Sequence, residues 1–316
     1  MRRSLFTLSA ALLTLGSLTA SAQTNGRTVL LETYADRETL ADPTEGPCPD
    51  MPRSLTQVDD NLYRHTSQAL PSLHSGFVLV TDEGALVIDP AGTCSANWLQ
   101  DEIDSRFGVP VRYVVYTHAH FDHIAGSQVF QDAGATVVAH ENAVEPIIGE
   151  KLPTAVPNVV FDDSTTITLG GETVELYHIA PSHSNSMTLV YFPQYKALQC
   201  TDICQSDTFP YNDFLDFYYG GWIESLDWVL QQDVDVIDIG HYTPATKDDI
   251  VDLREYMVDL HGQVLHLVRE GQHWDQLYRN VDFKDEYEDW YGYDQMRILN
   301  ILGMYRWVTN HRRGVW

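Results

Sequence analysis

The alternation of apolar and polar residues predicts β-strands from Leu55 onward, beginning with a β-hairpin. Two apolar runs, residues 77–81 and 85–88, flank a short polar turn that contains glycine, and this pattern is typical of a hairpin. Apolar residues at helical spacing then occupy residues 96–107. We expect Ser95 to cap this helix.

Strands and helices alternate through the middle of the chain. Residues 111–117 predict a buried strand that leads into a histidine-rich segment, and residues 122–134 predict a helix that Asp122 could cap. Further strands are expected where apolar runs follow one another, at residues 135–140, 165–169, 173–180, 187–192, 196–200 and 234–240. A helix over residues 222–232 separates the last two of these strands.

A long amphipathic helix follows the last predicted strand. Thr246 and Asp249 offer a capping box and Gly271 a stop, with apolar residues at helical spacing between them. This order of elements predicts an α/β protein whose sheets are sandwiched between helices. We expect an irregular N-terminal extension over residues 23–54, a main domain over 55–249, and a C-terminal helical segment, 250–316, packed on it.

The first 22 residues are expected to be a secretory signal peptide. Arg2 and Arg3 precede an apolar run that ends in the small-residue triplet "ASA", a layout that predicts cleavage after Ala22. A membrane anchor is the alternative, but the apolar run is short and is interrupted by Ser, Thr and Gly. We therefore expect a soluble, periplasmic or secreted protein that begins at Gln23.

The chain is strongly acidic, with 19 Lys and Arg residues against 45 Asp and Glu and a formal net charge of −26. Such a polyanion repels phosphate backbones and acidic lipid headgroups, so nucleic acid and membrane surfaces are poor candidate partners. We expect a small-molecule substrate. The sequence leaves the oligomeric state open.

Export would place the four cysteines in an oxidising compartment. A bridge between Cys48 and Cys94 is possible, although sequence alone does not establish any pairing among Cys48, Cys94, Cys200 and Cys204. Cys200 is interpreted as a core residue.

The segment "THAHFDHIAG" places four metal-binding side chains within six positions: His118, His120, Asp122 and His123. His118 and His120 lie two apart just after a strand, so extended backbone directs both imidazoles the same way. Asp122 and His123 fall where the next helix begins and are turned toward a neighbouring point. One ion cannot comfortably take all four side chains, whereas two adjacent ions can.

Three further candidate ligands each follow an apolar strand and precede turn-like residues: His183, Asp202 and His241. With these partners, the "HAHFDH" motif resembles that of the metallo-β-lactamase superfamily of dinuclear zinc hydrolases, in order and in approximate spacing. The resemblance covers roughly residues 55–249, and Asp89 also matches a structural aspartate of the family. It implies an αββα sandwich, here with a C-terminal helical extension.

The resemblance implies two zinc ions held by seven residues: the first by His118, His120 and His183, the second by Asp122, His123 and His241, and both by the bridging Asp202. Imidazole and carboxylate donors suit Zn²⁺, although iron or manganese fits the same ligands. Two such ions lower the pKa of a shared water for attack on a carbonyl or phosphoryl centre. Asp122 would orient the nucleophile, and Tyr242, beside a ligand, is the candidate for a separate oxyanion donor.

Three positions depart from the family pattern without removing a ligand. Ser182, Thr201 and Tyr242 stand where the family commonly has glycine. Gln205 stands where Cys-type β-lactamases carry a lysine and acyl-homoserine lactonases often carry a tyrosine. These differences change the packing behind the ligands and the wall of the pocket.

The expected reaction is hydrolysis of an ester, lactone or amide in a small, largely uncharged molecule. The acidic chain argues against the nucleases of the superfamily, and the aromatic residues between 209 and 222 could line a pocket for an apolar substrate. A β-lactamase is the first alternative. A non-catalytic periplasmic metal-binding or relay protein is the second.

Overall fold

The computed structural model describes residues 27–30, 37–45, 52–68 and 72–311, and the predicted signal peptide and Cys48 lie outside them. The strands are β1 (Thr28–Leu30), β2 (Arg53–Asp59), β3 (Leu62–Ser67), β4 (His74–Thr81), β5 (Gly84–Ile88), β6 (Val111–Val115), β7 (Thr136–His140), β8 (Val159–Phe161), β9 (Ser164–Leu169), β10 (Glu172–Tyr177), β11 (Leu189–Phe192), β12 (Ala197–Gln199) and β13 (Val236–Asp238). The helices are α1 (Thr93–Phe107), α2 (Phe121–Ile124), α3 (Ser127–Asp132), α4 (Val144–Gly149), α5 (Tyr219–Gln231), α6 (Lys247–Arg269), α7 (Trp274–Leu277) and α8 (Tyr293–Asn310).

The described strands form two mixed sheets. The larger sheet has the order β1-β8-β7-β6-β5-β4-β3-β2, and the smaller has the order β13-β12-β11-β10-β9. Strands β5 to β8 run parallel to one another, as do β12 and β13. The predicted hairpin is β4 and β5, which pair antiparallel.

The side chains of the hairpin strands alternate between two hydrophobic cores, as the period of two in a strand requires. Val78 and Val87 point to a core that includes α1 and α3. Phe77 and Leu86 point to a core shared with the smaller sheet. A third core joins the outer face of the smaller sheet to α5, α6 and α8. The layers are therefore helix, sheet, sheet, helix, which confirms the predicted αββα fold with C-terminal helices.

Several local expectations were wrong. Gly92, not Ser95, is the N-cap of α1, and Ser95 lies buried inside the helix. The single helix expected over residues 122–134 is two short helices, α2 and α3, and Asp122 lies in the first turn of α2 rather than at its cap. The capping box of α6 is present as predicted, with Thr246 as the N-cap and Asp249 as its partner.

Two features of the structure bear on the expected domain limits, which stay a prediction. The extension over residues 23–54 is not wholly irregular, because β1 adds an antiparallel edge strand to β8. The limit at residue 249 falls inside α6, whose buried face shares a core with the smaller sheet. The C-terminal helices therefore complete the outer layer of the sandwich. No helix in the described part of the chain is both long and apolar enough to span a bilayer.

Candidate metal centre

The predicted ligands meet at one edge of the sandwich, where strands of both sheets end. His118 and His120 follow β6, Asp202 follows β12, and His241 follows β13. His183 precedes β11, which runs antiparallel to β12 and therefore starts at the same edge. The two sheets thus bring together side chains that are more than 120 residues apart in sequence.

The structure divides these side chains into two groups. One group contains His118, His120, His183 and Asp202, and the other contains Asp122, His123 and His241 together with His74. In each group the candidate ligand atoms lie within 4.8 Å of one another. The grouping matches the two sites implied by the resemblance, with His74 as an addition.

Asp202 lies between the two groups. Its Oδ2 is 3.4 Å from His118 Nε2 and 3.1 Å from His123 Nε2. Its Oδ1 is 3.2 Å from His241 Nε2. One carboxylate therefore faces imidazoles of both groups, as a bridging ligand would.

The imidazoles are oriented as metal ligands usually are, with the nitrogen that faces away from the centre engaged elsewhere. His120 Nε2 is 2.9 Å from Asp216 Oδ2, and His241 Nδ1 is 3.0 Å from the carbonyl of Leu73. The nitrogens that face the centre, His118 Nε2 and His123 Nε2, are buried and make no well-aligned hydrogen bond, although the Asp202 carboxylate lies close to both. Imidazole nitrogens that converge on carboxylates in a buried site fit divalent metal ions.

The electrostatics of the centre also suit cations. Burial alone would raise the pKa of Asp202, but His123 and His241 hold it well below the usual value. Burial alone would lower the pKa of His123, but Asp122 and Asp202 raise it to about 10. His123 and His74 likewise outweigh the effect of burial on Asp122 and lower its pKa. Both carboxylates are therefore ionised at neutral pH, which favours the binding of positive charge.

A buried network of polar side chains around Asp89 lies behind the ligands of the centre. Asp89 accepts hydrogen bonds from the backbone N–H and hydroxyl of Thr117, and its Oδ2 is 3.7 Å from His123 Nδ1. The Thr201 hydroxyl also donates to Asp89, at 3.3 Å. Thr201, which replaces the glycine common in the family, therefore links the Asp202 loop to the larger sheet.

A disulfide encloses the loop that carries Asp202. Cys200 and Cys204 are bonded to each other, and both are fully buried. The interpretation of Cys200 as a core residue is confirmed, although its bond to Cys204 was not predicted. Asp202 has a left-handed backbone (φ 59°), a conformation that few residues other than glycine adopt. Cys94 is disulfide-bonded as well, and Cys48, its possible partner from the sequence, lies outside the described residues.

The C-terminal helices hold a loop over residues 205–218 that reaches the centre through Asp216. Asn300 of α8 is fully buried and donates to the carbonyls of Pro210 and Asn212, at 2.8 and 2.7 Å. Its own side-chain oxygen accepts from the hydroxyl of Tyr256, on α6. Asp216 was not predicted as a partner of His120, because nothing in the local sequence distinguishes Asp216 from other loop aspartates.

The aromatic residues of the 209–222 segment divide into core and surface. Phe209, Phe214, Phe217 and Trp222 are buried in the core under the C-terminal helices. Three exposed tyrosines form a surface beside His241 that we call the tyrosine rim: Tyr211, Tyr242 and Tyr291.

Tyr242 belongs to this rim. Its ring lies 6.0 Å from that of His241 and 5.8 Å from that of Tyr291. Burial and the neighbouring tyrosines raise the pKa of Tyr242, so its hydroxyl stays protonated at neutral pH. A role for Tyr242 as an oxyanion donor stays a prediction.

An αββα sandwich with two adjacent His/Asp groups at the edge where its strands end defines a class of metal-dependent hydrolases. Residues 71–241 match the family model described as metallo-beta-lactamase superfamily. The match spans more than half of the chain, and the protein belongs to this superfamily. It is accordingly a hydrolase of that superfamily with candidate metal-binding residues.

Relatives in this superfamily are distant. Metallo-beta-lactamase type 2 of Bacillus cereus is 25% identical over 198 residues, which cover 60% of this chain and 76% of that protein. The 2,4-dinitroanisole O-demethylase subunit alpha of Nocardioides sp. (strain JS1661) is 27% identical over 165 residues, covering 51% of this chain and 50% of that protein.

The solved structure of a metallo-beta-lactamase from Pontibacter korlensis resembles this fold. It superposes with a TM-score of 0.58 at 22% identity and covers 65% of this chain and 99% of that one. At this identity the likeness bears on the fold alone.

Proposed function

We propose that the protein is an exported dinuclear zinc hydrolase that cleaves an ester, lactone or amide bond of a small, largely uncharged molecule. The observation that carries the proposal is the position of Asp202, whose carboxylate lies between two groups of convergent donors. Three-histidine and aspartate–histidine donor sets are of the kind that bind zinc in catalytic sites. When bound, two such ions lower the pKa of water and polarise a carbonyl oxygen.

Asp122 is the candidate general base. Its side chain is 37% exposed, against 11% for Asp202, so it is the more accessible carboxylate of the centre. In the proposed reaction the Asp122 carboxylate accepts a proton from the attacking water as the new C–O bond forms. When the bond to the leaving group breaks, the same proton passes to that group, which departs neutral.

The tyrosine rim favours an uncharged, aromatic or apolar substrate. Tyr211 is 75% exposed and Tyr291 is 67% exposed, and Tyr291 contacts Tyr242, which lies beside His241, so aromatic surface is available near the centre. The nearby arginines are engaged: Arg64 pairs with Asp238, and Arg306 pairs with Asp213. The name of the Nocardioides relative, a 2,4-dinitroanisole demethylase, describes action on an uncharged aromatic molecule and supports this substrate class.

A β-lactamase is the second candidate because relatives from Bacillus cereus and Elizabethkingia meningoseptica carry that name. The residue at position 205 argues against it. Gln205 donates to the carbonyl of Asp202 at 3.4 Å and carries no charge to pair with the carboxylate of a β-lactam.

A substrate panel tests the proposed reaction. We expect the zinc-loaded protein to hydrolyse aryl or acyl esters, or lactones, and to lose this activity when a chelator removes the metal. A chromogenic β-lactam, a thioester of an anionic thiol and a phosphodiester should be poor substrates, because the arginines near the rim in the described part of the chain already pair with carboxylates and are not free to hold a substrate's negative charge. Initial rates for all five classes at equal concentration provide the comparison.

The outcomes of this panel separate the candidates. A β-lactam turned over faster than every ester would favour the β-lactamase. Activity confined to phosphodiesters would overturn the proposed substrate class. Tight metal binding without turnover of any substrate would favour the non-catalytic metal-binding or relay protein.

Export is the remaining part of the proposal. The disulfide between Cys200 and Cys204 is of a kind that persists in oxidising compartments, and the chain starts with a signal-like segment. N-terminal sequencing of the protein from the native host should give a chain that begins at or near Gln23. Recovery of intact Met1 from the cytoplasm would contradict export.

A further inference from the structure

His74 is a buried histidine at the amino end of β4 that was not among the predicted ligands. Its side chain is 1% exposed, and its Nδ1 has no hydrogen-bond partner. Strand β4 runs antiparallel to β5, so its first residue lies beside the end of β5, where Asp89 supports the centre. A metal ligand can therefore come from the start of this strand as well as from the ends of its neighbours.

The Nε2 atom of His74 faces the same point as the predicted ligands of the second ion. It lies 3.2 Å from Asp122 Oδ2, and that oxygen lies 3.5 Å from His123 Nε2 and 4.0 Å from His241 Nε2. Zinc–nitrogen bonds of about 2.0–2.1 Å place neighbouring tetrahedral ligands roughly 3.3 Å apart. The separations of Asp122 Oδ2 from His74 and His123 are close to that value, and its 4.0 Å separation from His241 is somewhat longer.

The backbone fixes His74 relative to His241. The two residues form an isolated antiparallel bridge, and the N–H of Ser75 donates to the carbonyl of Gly240 at 2.8 Å. The ring centroids of His74 and His241 are 4.7 Å apart, and those of His74 and His123 are 5.3 Å apart. A histidine that only held Asp122 by a hydrogen bond would not need to face both of these imidazoles.

We propose that His74 is a direct ligand of the second metal ion. The inference rests on the proposed dinuclear function and deepens it. The second ion would then have three imidazoles, Asp122 and the bridging Asp202 as donors, against three imidazoles and Asp202 for the first. The second site would hold its metal more tightly and favour coordination above four, which leaves the first site as the more open of the two.

Cobalt substitution tests this assignment because Co²⁺ reports its coordination in visible absorption. We expect His74→Ala and His74→Gln to lower the affinity of the second site for Co²⁺. The loss should exceed the roughly 10- to 100-fold that removal of an outer-shell partner costs. The d–d bands of that ion should intensify as its coordination number falls. His74→Cys should add a thiolate-to-cobalt charge-transfer band, which arises only if residue 74 reaches the metal.

His65→Ala is the matched control, because His65 is also buried, lies on the neighbouring strand β3, and bonds to the carbonyl of Ile88 instead of the centre. It should leave both cobalt affinities and the spectrum unchanged. Two bound Co²⁺ ions with unchanged spectra in the Ala and Gln variants, and no new band in His74→Cys, would overturn the assignment while the dinuclear proposal stands. Fewer than two Co²⁺ ions in the wild type would defeat the dinuclear proposal itself.

If His74→Ala does not fold, His74→Gln and His74→Cys retain polar side chains at this buried position, and the charge-transfer band of the latter still decides the question. Circular dichroism and thermal melting identify the folded variants before metal is added.

Discussion

Replacement of Asp122 by asparagine is expected to lower kcat by about 10²- to 10⁴-fold, the range that loss of a positioned general base produces. Asparagine keeps the size of the side chain and one oxygen donor, but its amide cannot accept the proton of the attacking water. It also removes a negative charge that lies 3.5 Å from His123 Nε2. KM should change much less than kcat, because the tyrosine rim is untouched.

The measurement is steady-state kinetics on the best ester or lactone of the panel, with metal content determined on the same samples. Asp101→Asn is the control, since Asp101 is an exposed aspartate on α1. Equal kcat values for Asp122→Asn and the wild type would exclude Asp122 as the base. A loss of activity that excess zinc fully restores would assign Asp122 to metal retention alone.

Asp202→Asn is expected to impair metal binding at both sites, unlike Asp122→Asn, because Asp202 faces imidazoles of both groups. Its two oxygens lie 3.1 Å from His123 Nε2 and 3.2 Å from His241 Nε2, and Oδ2 is also 3.4 Å from His118 Nε2. Removal of its charge leaves a buried cluster of imidazoles with one carboxylate fewer, which lowers the affinity of both sites for metal. We expect turnover to fall at least as far as in Asp122→Asn.

Metal analysis after dialysis distinguishes the two variants. Asp202→Asn should retain less than one ion per chain, whereas Asp122→Asn should lose metal mainly from the second site. The single variants His118→Ala and His241→Ala provide references for loss from the first and second site. If Asp202→Asn kept two tightly bound ions, Asp202 would not be the bridging ligand.

The sequence predicted those parts of the fold whose signals are local and periodic. The alternation in β4 and β5 and the capping box of α6 lie within a few residues of the elements they define. The N-cap of α1 was predicted wrongly because Ser95 suits a cap by residue type, whereas in the fold it is buried within the helix.

The candidate ligands were recognisable because most of them directly follow apolar strands. His74 was missed because it precedes its strand, and only the antiparallel pairing of β4 with β5 places it at the same edge. The hairpin signal contained this information, since the start of one hairpin strand always lies beside the end of the other.

Other supports of the centre depend on contacts across the fold that no local pattern reports. Asn300 holds the loop that carries Asp216 by hydrogen bonds to Pro210 and Asn212, which are 90 and 88 residues away in sequence. The pairing of Cys200 with Cys204 was within reach of the sequence, since both flank Asp202 at equal distance, but four cysteines allow three pairings.

Metal stoichiometry of the purified mature protein tests the central claim most directly. After loading with zinc and removal of the excess, elemental analysis should give close to two zinc ions per chain, because Asp202 joins two complete groups of donors. One ion per chain, or none, in folded protein would contradict the dinuclear centre.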